Sequence, residues 1–252
     1  MPSSKSKRGF KKYIIGFWIL FLTPFVVLTT ALVLTANGYF GELPTFDQLE
    51  NPESSLATEI ISADKQILGK YYFQNRTNTH YDELSQNLIK ALLSTEDVRF
   101  YEHSGVDIKG LFRVLFKSVI LRQDAGGGST ITQQLAKNLF PRKRTTSKVA
   151  IVTIKMKEWI TANKLERNYT KKEIIAMYFN TVEFGHNAFG IKSAARTYFD
   201  KLPSQLNMQE SALLVGMLRG PSLYNPVSNP KKATLRRNTV LEQMLKAEAI
   251  SP

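Results

Sequence analysis

Two adjacent carboxylates, Glu96 and Asp97, have the chemistry of a catalytic pair. They close a segment, residues 84–97, in which apolar residues recur at spacings of three and four, a pattern that predicts an amphipathic helix. The negative end of a helix dipole favours the protonated form of a carboxylate, which suits a general base working near neutral pH. A solvated acid pair at a helix end is the alternative, and this segment alone leaves both interpretations open.

Metal chemistry is not predicted by the residue types. The chain has no cysteine, and His80, His103 and His186 stand too far apart in sequence for metal-ligand spacing. We therefore expect His103 to form structural hydrogen bonds and name no metal-binding residues. With 43% hydrophobic residues among 252, disulfide scaffolds and wholly disordered chains are also excluded.

A glycine run precedes a second candidate segment, AGGGSTITQQLAKNLFP at residues 125–141. Three consecutive glycines before Thr130, a predicted helix N-cap, expose backbone donors that can receive an oxyanion or phosphate. The segment is not a nucleotide P-loop, because the GKS or GKT ending is missing. Gln133 and Lys137 share one helix face by their i, i+4 spacing. A flexible loop before an ordinary helix is the alternative.

Positive charge is concentrated in residues 137–172, which hold eleven cations and two acids, a net charge of +9 in a chain of net charge +13. Anionic partners are therefore expected, although a solvated basic face is the usual explanation of such a run. Nucleic acid is disfavoured because aromatic stacking positions do not alternate with the cations. Glu158, beside Lys157 in the apolar context IVTIKMKEWI, needs a cation or a functional role.

An uncharged apolar run at residues 13–34 predicts a transmembrane helix, because its length matches a hydrocarbon layer of ~30 Å. The basic tail before it is expected in the cytoplasm, with the rest of the chain outside. A cleaved signal peptide is disfavoured, since the run exceeds the usual ~7–15 residues. We divide the chain into a basic tail (1–12), a transmembrane helix (13–36), a linker (37–56) and a folded domain (57–252).

The folded domain is predicted to be mainly α with one small β-hairpin. TEIIS and QILGKYYF, rich in β-branched and aromatic residues, flank turn-prone residues 63–65. Helix starts are predicted from capping boxes and from one Asn-Pro pair: Thr130 with Gln133, Thr170 with Glu173, Asn207 with Glu210, and Asn229 with Pro230.

Three further segments have a structural interpretation from their composition. The apolar segment 110–122, GLFRVLFKSVILR, is either a core helix or a helix that lies against a bilayer with its cations on headgroups. YFNTVEFG at 178–185 and GPSLYNP at 220–226 are interpreted as scaffold loops.

Five segments, in this order, resemble the five motifs of the peptidoglycan glycosyltransferase domain, glycosyltransferase family 51. They are TEDVRFYEHSG, GGSTITQQLAKN, KMKEW, KKEIIAMYFNTVEFG and LRGPSLYNP, and the resemblance spans residues 57–246. Class A penicillin-binding proteins and monofunctional transglycosylases contain this domain. The resemblance implies a lysozyme-like, mainly α, two-lobed fold whose smaller lobe touches the membrane. It also implies a bacterial inner-membrane enzyme that polymerises lipid II into glycan strands outside the cytoplasm and releases undecaprenyl pyrophosphate.

The resemblance implies a role for each matching residue. Glu96 resembles the general base that deprotonates the acceptor 4-hydroxyl, and Glu158 resembles the second catalytic acid, near the leaving pyrophosphate. Substrate binding is implied for Asp97 beside the base, for Ser129, Gln133, Gln134 and Lys137 of the second motif, for Lys157 as the cationic neighbour of Glu158, and for Asn180, which matches the structural asparagine of the fourth motif.

No required cofactor is implied by the resemblance, and a divalent cation, Mg²⁺ or Mn²⁺, at the pyrophosphate is left open. The implied partners are lipid II, the growing glycan strand and membrane lipid. A transpeptidase or another cell-wall synthesis protein is left open as a further partner, and nucleic acid is not expected.

The sequence departs from the family pattern in two ways. The third motif usually opens with Arg-Lys, whereas Ile154 precedes Lys155 here, so Arg142 or Arg144 is the expected source of the arginine contact. Class A proteins also continue into a penicillin-binding domain, and the SxxK matches of this chain lack the KTG that would complete such a site. A monofunctional enzyme and the N-terminal half of a bifunctional protein both fit the sequence.

We therefore expect a processive, inverting glycosyltransferase that uses a glutamate general base. A lysozyme-like lytic hydrolase would share the fold and the paired carboxylates, but cleavage of neutral glycan needs no diphosphate site, which the +9 segment would supply. A membrane-anchored scaffold that binds anionic polymer without catalysis is the second alternative.

Overall fold

Helices dominate the described part of the chain, which comprises residues 6–44, 58–61, 67–71, 79–117, 127–140 and 145–251 of a computed structural model. The helices are α1 (Ser6–Ala36), α2 (Gln86–Glu96), α3 (Ile108–Leu115), α4 (Ile131–Leu139), α5 (Lys148–Asn168), α6 (Lys171–Thr181), α7 (Ile191–Phe199), α8 (Met208–Met217) and α9 (Pro230–Lys246). Short 3-10 turns lie at Tyr81–Glu83, Phe100–Glu102 and Pro203–Gln205. The prediction of a mainly α protein is confirmed.

The chain separates into two units, of which the first comprises residues 1–43 and 144–160. It contains α1, which covers the predicted transmembrane segment. Residues 11–36 of this helix are long and apolar enough, by length and composition, to cross a membrane, and Pro24 lies inside the helix. The first part of α5 belongs to the same unit, where Lys157 Nζ donates to the carbonyl oxygen of Glu42 at 3.5 Å.

The second unit comprises residues 44–143 and 161–252 and contains a continuous hydrophobic core. In this unit α9 packs against α8 and α2, α8 packs against α2, and α4 packs against α6. Leu88 and Leu92 of α2 and Leu135 of α4 are fully buried, as are Ile174 and Phe179 of α6. Each such side chain contributes ~1.5–3 kcal/mol to folding, so this core holds the ends of α2, α4 and α6 in place.

The predicted helix starts are largely confirmed. The Thr170 and Asn207 boxes are complete, with Glu173 and Glu210 returning their side chains to the cap backbone. Hydrogen bonds from the backbone and the hydroxyl of Thr170 lower the pKa of Glu173. The predicted box at Thr130 is wrong in one half: the Thr130 hydroxyl caps α4, but the Gln133 side chain donates to the carbonyl oxygen of Gly105 instead.

The predicted hairpin is confirmed by two antiparallel strands, β1 (Thr58–Ile61) and β2 (Ile67–Tyr71). Thr58 pairs with Tyr71 and Ile60 pairs with Gly69, with a register shift between Ile60 and Ile61. The turn predicted at 63–65 lies outside the described residues.

Helix α3 begins the apolar segment for which the sequence left core and bilayer interpretations open. Ile108 is 63% exposed, Phe112 65% and Phe116 54%, so one apolar edge at i, i+4, i+8 spacing faces away from the folded chain. Within the predicted segment, the core interpretation is therefore wrong for Phe112 and Phe116, whose side chains are more than half exposed. Residues 118–122 lie outside the described part of the chain.

Candidate active site

The carboxylate of Glu96 lies at the C-terminal end of α2, where the sequence analysis expected it. The side chain is partly exposed, and its Oε2 accepts a hydrogen bond of 2.8 Å from Nε2 of Gln134, on the first turns of α4. The core contacts of α2 and α4 bring these two residues together, although they stand 38 positions apart in sequence. The arrangement presents an accessible carboxylate whose position one amide donor fixes.

The amide of Gln134 is itself held by Tyr178 of α6. The phenolic hydroxyl of Tyr178 donates to Oε1 of Gln134 at 2.9 Å, and the Tyr178 side chain is 1% exposed. Burial, and secondly the charge of Glu96, raise the pKa of Tyr178 well above its ordinary value, so the hydroxyl stays protonated and remains a donor. This contact was not predicted from the sequence, because the composition of the Tyr178 segment indicated only a scaffold role.

Asp97, the second acid of the pair, is buried and bonded within the protein. One of its oxygens accepts the backbone N–H of Ile131 at 3.1 Å, and Nε2 of His103 lies 3.1 Å from both oxygens. Asp97 therefore binds the N-terminus of α4, where a negative charge is favourable. The structural hydrogen bond expected for His103 is present. One donor of this helix terminus, the backbone N–H of Ile131, is therefore taken by a carboxylate of the protein, and binding of an oxyanion by the glycine loop before it stays a prediction.

Gly105 connects the first two motif segments. Its carbonyl oxygen accepts from the hydroxyl of Thr130 at 2.6 Å and from Nε2 of Gln133 at 3.2 Å. Gln133 is 2% exposed and engaged in this bond, so its described contact is intramolecular, as it is for Asp97. Substrate contact by Asp97 and Gln133 stays a prediction, whereas their positioning of α4 is observed.

A partly buried ionic network joins α4 to α5 and to the first residue of α6. Glu166 of α5 accepts from the hydroxyl of Thr132 at 2.6 Å and from Nζ of Lys171 at 2.8 Å. Lys171 also donates to the carbonyl oxygen of His103 at 2.7 Å. The sequence did not reveal this network. It joins the 97–105 loop, through the carbonyl oxygen of His103, to the first turn of α4, through the hydroxyl of Thr132. The charge at its centre is paired and hydrogen-bonded.

A cavity of about 220 Å³ opens beside Gln134. Gln134, Lys137 and Asn138 of α4 line it together with Tyr178, Val182, Glu183, Leu218 and Pro221. Lys137 is exposed there, so its ammonium is available to an anionic ligand. Because Gln134 both lines the cavity and donates to Glu96, the candidate base lies one side chain away from it.

Arg236 of α9 is a second residue that sequence reasoning missed. Burial and then the charge of Arg219 lower the pKa of Arg236, while the charge of Glu96 acts in the opposite direction. Its guanidinium lies 6.0 Å from the ring centroid of Tyr224, and its Nε is buried without a partner among the described residues. A cation is thus part of the electrostatic surroundings of Glu96.

Glu158 is buried in the first unit of the chain, on α5. Its Oε2 lies 2.7 Å from Nζ of Lys155, an i, i+3 pair on one helix face. The expected cationic neighbour, Lys157, instead bonds the carbonyl oxygen of Glu42, because adjacent helical residues point in different directions. Arg142 and Arg144, the expected sources of the third-motif arginine, lie outside the described residues.

Asn180 fixes the start of the described domain. Its Nδ2 donates to the carbonyl oxygen of Thr79, and its Oδ1 accepts the backbone N–H of Thr79, both at 2.9 Å. These bonds are those of a structural asparagine, and substrate contact by Asn180 stays a prediction. Ser129 lies directly before the α4 cap and is partly exposed. Among the described residues, no group of three or more acidic, histidine or cysteine side chains could hold a metal ion.

Comparison with known proteins gives a match to the transglycosylase family over residues 64–245. Penicillin-binding protein 1A of Neisseria flavescens is 38% identical over 212 residues, which cover 84% of this chain and 26% of that protein. Penicillin-binding protein 1A of Escherichia coli K12 is 34% identical over 233 residues, 89% of this chain and 27% of that protein. The chain thus spans about a quarter of the length of these relatives.

Among solved structures, the chain is similar to a crystal structure of penicillin-binding protein 1A from Haemophilus influenzae. That match has 23% sequence identity and a TM-score of 0.43, and it covers 79% of this chain and 19% of the other.

Proposed function

The chain belongs to the transglycosylase family, and on this premise we propose that it is a peptidoglycan glycosyltransferase that polymerises lipid II into glycan strands. Glu96 removes the proton of the acceptor 4-hydroxyl, and undecaprenyl pyrophosphate leaves with inversion at the donor carbon. The single observation that carries the proposal is the partly exposed Glu96 carboxylate, which Gln134 holds beside the cavity that Lys137 lines.

The chemistry needs little more than a placed base and stabilised charge. An acceptor hydroxyl must come within ~2.6–3.2 Å of the base, and an open carboxylate at a helix end allows this approach. The departing diphosphate needs cations, and the exposed Lys137, which lines the cavity, supplies one. Glu158, paired with Lys155, acts as the second acid of the reaction.

Membrane anchoring by α1 accounts for access to a polyprenyl-linked substrate. An anchored enzyme searches for lipid II within the two dimensions of the bilayer, which raises the effective concentration of both partners. In this proposal the N-terminal tail lies in the cytoplasm and the catalytic domain lies outside the inner membrane. A divalent cation assists the pyrophosphate without being required, which polymerisation in EDTA tests.

The experiment is to incubate the full chain in detergent with labelled lipid II and to analyse the products. Long, muramidase-sensitive glycan and free undecaprenyl pyrophosphate are expected. Shortening of preformed glycan instead would indicate a lytic hydrolase. Binding of lipid II or anionic polymer without turnover would indicate a scaffold, and either outcome would overturn the proposal.

A further inference from the structure

Tyr178 lies within the segment that the sequence suggested was scaffold, yet its hydroxyl is directed toward the candidate site. The side chain is 1% exposed and belongs to the core around α6, with its ring 5.9 Å from that of Phe179. Its one polar atom donates to Gln134. A buried tyrosine hydroxyl that serves only packing would not have to meet Gln134, which is the donor to Glu96 among the described residues.

The hydrogen bonds leave the amide of Gln134 a single orientation. The buried hydroxyl of Tyr178 has one proton to donate, and Oε1 of Gln134 at 2.9 Å is its acceptor among the described residues, so this proton is satisfied only when Oε1 faces Tyr178. Nε2 is then directed at the carboxylate of Glu96 at 2.8 Å, where only a donor is compatible with an ionised acid. Within the described part of the chain no donor contacts the other oxygen of Glu96, which leaves that atom to an incoming hydroxyl.

Without the tyrosine hydroxyl the amide would have two usable orientations. In one, Nε2 donates to ionised Glu96; in the other, Oε1 accepts the proton of the neutral acid. The first orientation favours the ionised form of Glu96, which can act as a base. The second favours the protonated form, which cannot. Tyr178 disfavours the second orientation, because Nε2 would then donate to the phenolic oxygen and the proton of this buried hydroxyl would have no acceptor among the described residues.

We propose that Tyr178 is a positioning residue for the reaction: its hydroxyl fixes the Gln134 amide so that Nε2 always donates to the Glu96 carboxylate. The proposal rests on the proposed function, since it concerns the base of that reaction. Tyr178 does not touch substrate in this proposal and acts only through Gln134.

The first test is Tyr178→Phe in the full chain, with rates of lipid II polymerisation measured from pH 4.5 to 8. We expect kcat and kcat/KM to fall together by up to about tenfold, as for the loss of one hydrogen bond between neutral groups, with KM unchanged. The acidic limb of the pH profile should move about one pH unit upward. A polymerisation rate that is lower at every pH, with the acidic limb at the wild-type position, would indicate a merely structural role and overturn the proposal.

The matched control is Tyr198→Phe, which removes a tyrosine hydroxyl that donates to the carbonyl oxygen of Phe184 at 2.8 Å and accepts from Asn225 at 3.0 Å. This hydroxyl has no bond to Gln134, so its loss should leave the acidic limb in place. Equal movement of the limb in both variants would contradict the proposal.

A double-mutant cycle with Gln134→Ala isolates the pathway of the effect. If Tyr178 acts only through Gln134, then Tyr178→Phe/Gln134→Ala should be no slower than Gln134→Ala alone. A further tenfold loss in the double variant would mean that Tyr178 acts by another route, and the proposal would fail.

A measurement that needs no turnover can test the role of Tyr178 independently of the proposed enzymatic function. The δ-carboxyl ¹³C signal of Glu96, assigned with Glu96→Gln, is titrated in the wild-type chain and in Tyr178→Phe. The midpoint should rise by about one pH unit in the variant. An unmoved midpoint overturns the positioning role whether or not the chain polymerises lipid II, whereas a raised midpoint in a chain without turnover would refute only the function.

Discussion

The carboxylate of Glu158 is buried with one oxygen 2.7 Å from Lys155 Nζ, so removing its charge should disturb both the pair and its proposed role in transfer. We predict that Glu158→Gln lowers the rate of lipid II polymerisation about 10²-fold or more, as for loss of a positioned acid. Initial rates at saturating lipid II check this, with the exposed Glu242→Gln of α9 as the control. A Glu158→Gln rate within error of the control would remove Glu158 from the mechanism.

Single residues differed in how far sequence could predict their environment. Glu96 was predictable because a carboxylate at the end of a periodic helix is a local pattern. The Tyr178 contact was not, since it joins residues 44 positions apart and depends on how α4 and α6 pack. The Lys155 pairing of Glu158 follows from helical i, i+3 geometry, and attention to sequence adjacency alone selected Lys157 instead.

At the scale of elements, the backbone of Gly105 lies close to the backbone of α5. Gly105 has a φ of +90°, and an added Cβ would lie 2.9 Å from the backbone carbon and oxygen of Ala162. We predict that Gly105→Ala destabilises the protein by about 1–3 kcal/mol, because it combines backbone strain with a clash against backbone atoms. Denaturant unfolding followed by circular dichroism measures the change.

Gly127→Ala is the control for this substitution, because an added Cβ at Gly127 meets nothing within 4 Å. Its effect should stay within about 0.5 kcal/mol. Equal stability of the two alanine variants would show that the 97–105 loop does not depend on close contact with α5.

The starts of helices could be predicted well from the sequence, because capping residues act locally. Thr170, Asn207 and Asn229 each precede a helix as expected. The partner of Gln133 was not predictable, since a carbonyl oxygen from a distant loop competes with the cap backbone. The exposed edge of α3 was undecided in the sequence, because periodicity identifies an apolar edge without identifying what covers it.

At the scale of the whole molecule, α1 and the exposed edge of α3 are two apolar surfaces that a bilayer could cover. The chain has no cysteine, so Phe112→Cys provides a single site for a spin label in the full protein. We predict that a label there, in lipid vesicles, is accessible to oxygen and protected from water-soluble nickel chelates. This follows because apolar side chains gain free energy on leaving water.

A label at Leu235→Cys is the matched control, since Leu235 is also a large apolar residue and is 69% exposed on α9. It should be accessible to the nickel chelate. Equal chelate access at both positions would show that α3 stays in water and would contradict the prediction.

For the molecule as a whole, composition and motif order were sufficient to predict the family, the helical class and the candidate membrane span. The bonds of Asp97 to Ile131, of Thr132 to Glu166 and of Lys171 to His103 could not be predicted, because each joins segments that meet only in the folded chain.

The most direct test of the account is the rate of lipid II polymerisation by Glu96→Gln, compared with Glu102→Gln, an exposed glutamate of the same motif segment. The amide keeps the size of the side chain but cannot accept a proton from the acceptor hydroxyl. We predict that Glu96→Gln binds lipid II and forms no glycan, whereas Glu102→Gln polymerises at the wild-type rate. Glycan formed by Glu96→Gln at a rate near that of Glu102→Gln would contradict the assignment of Glu96 as the base.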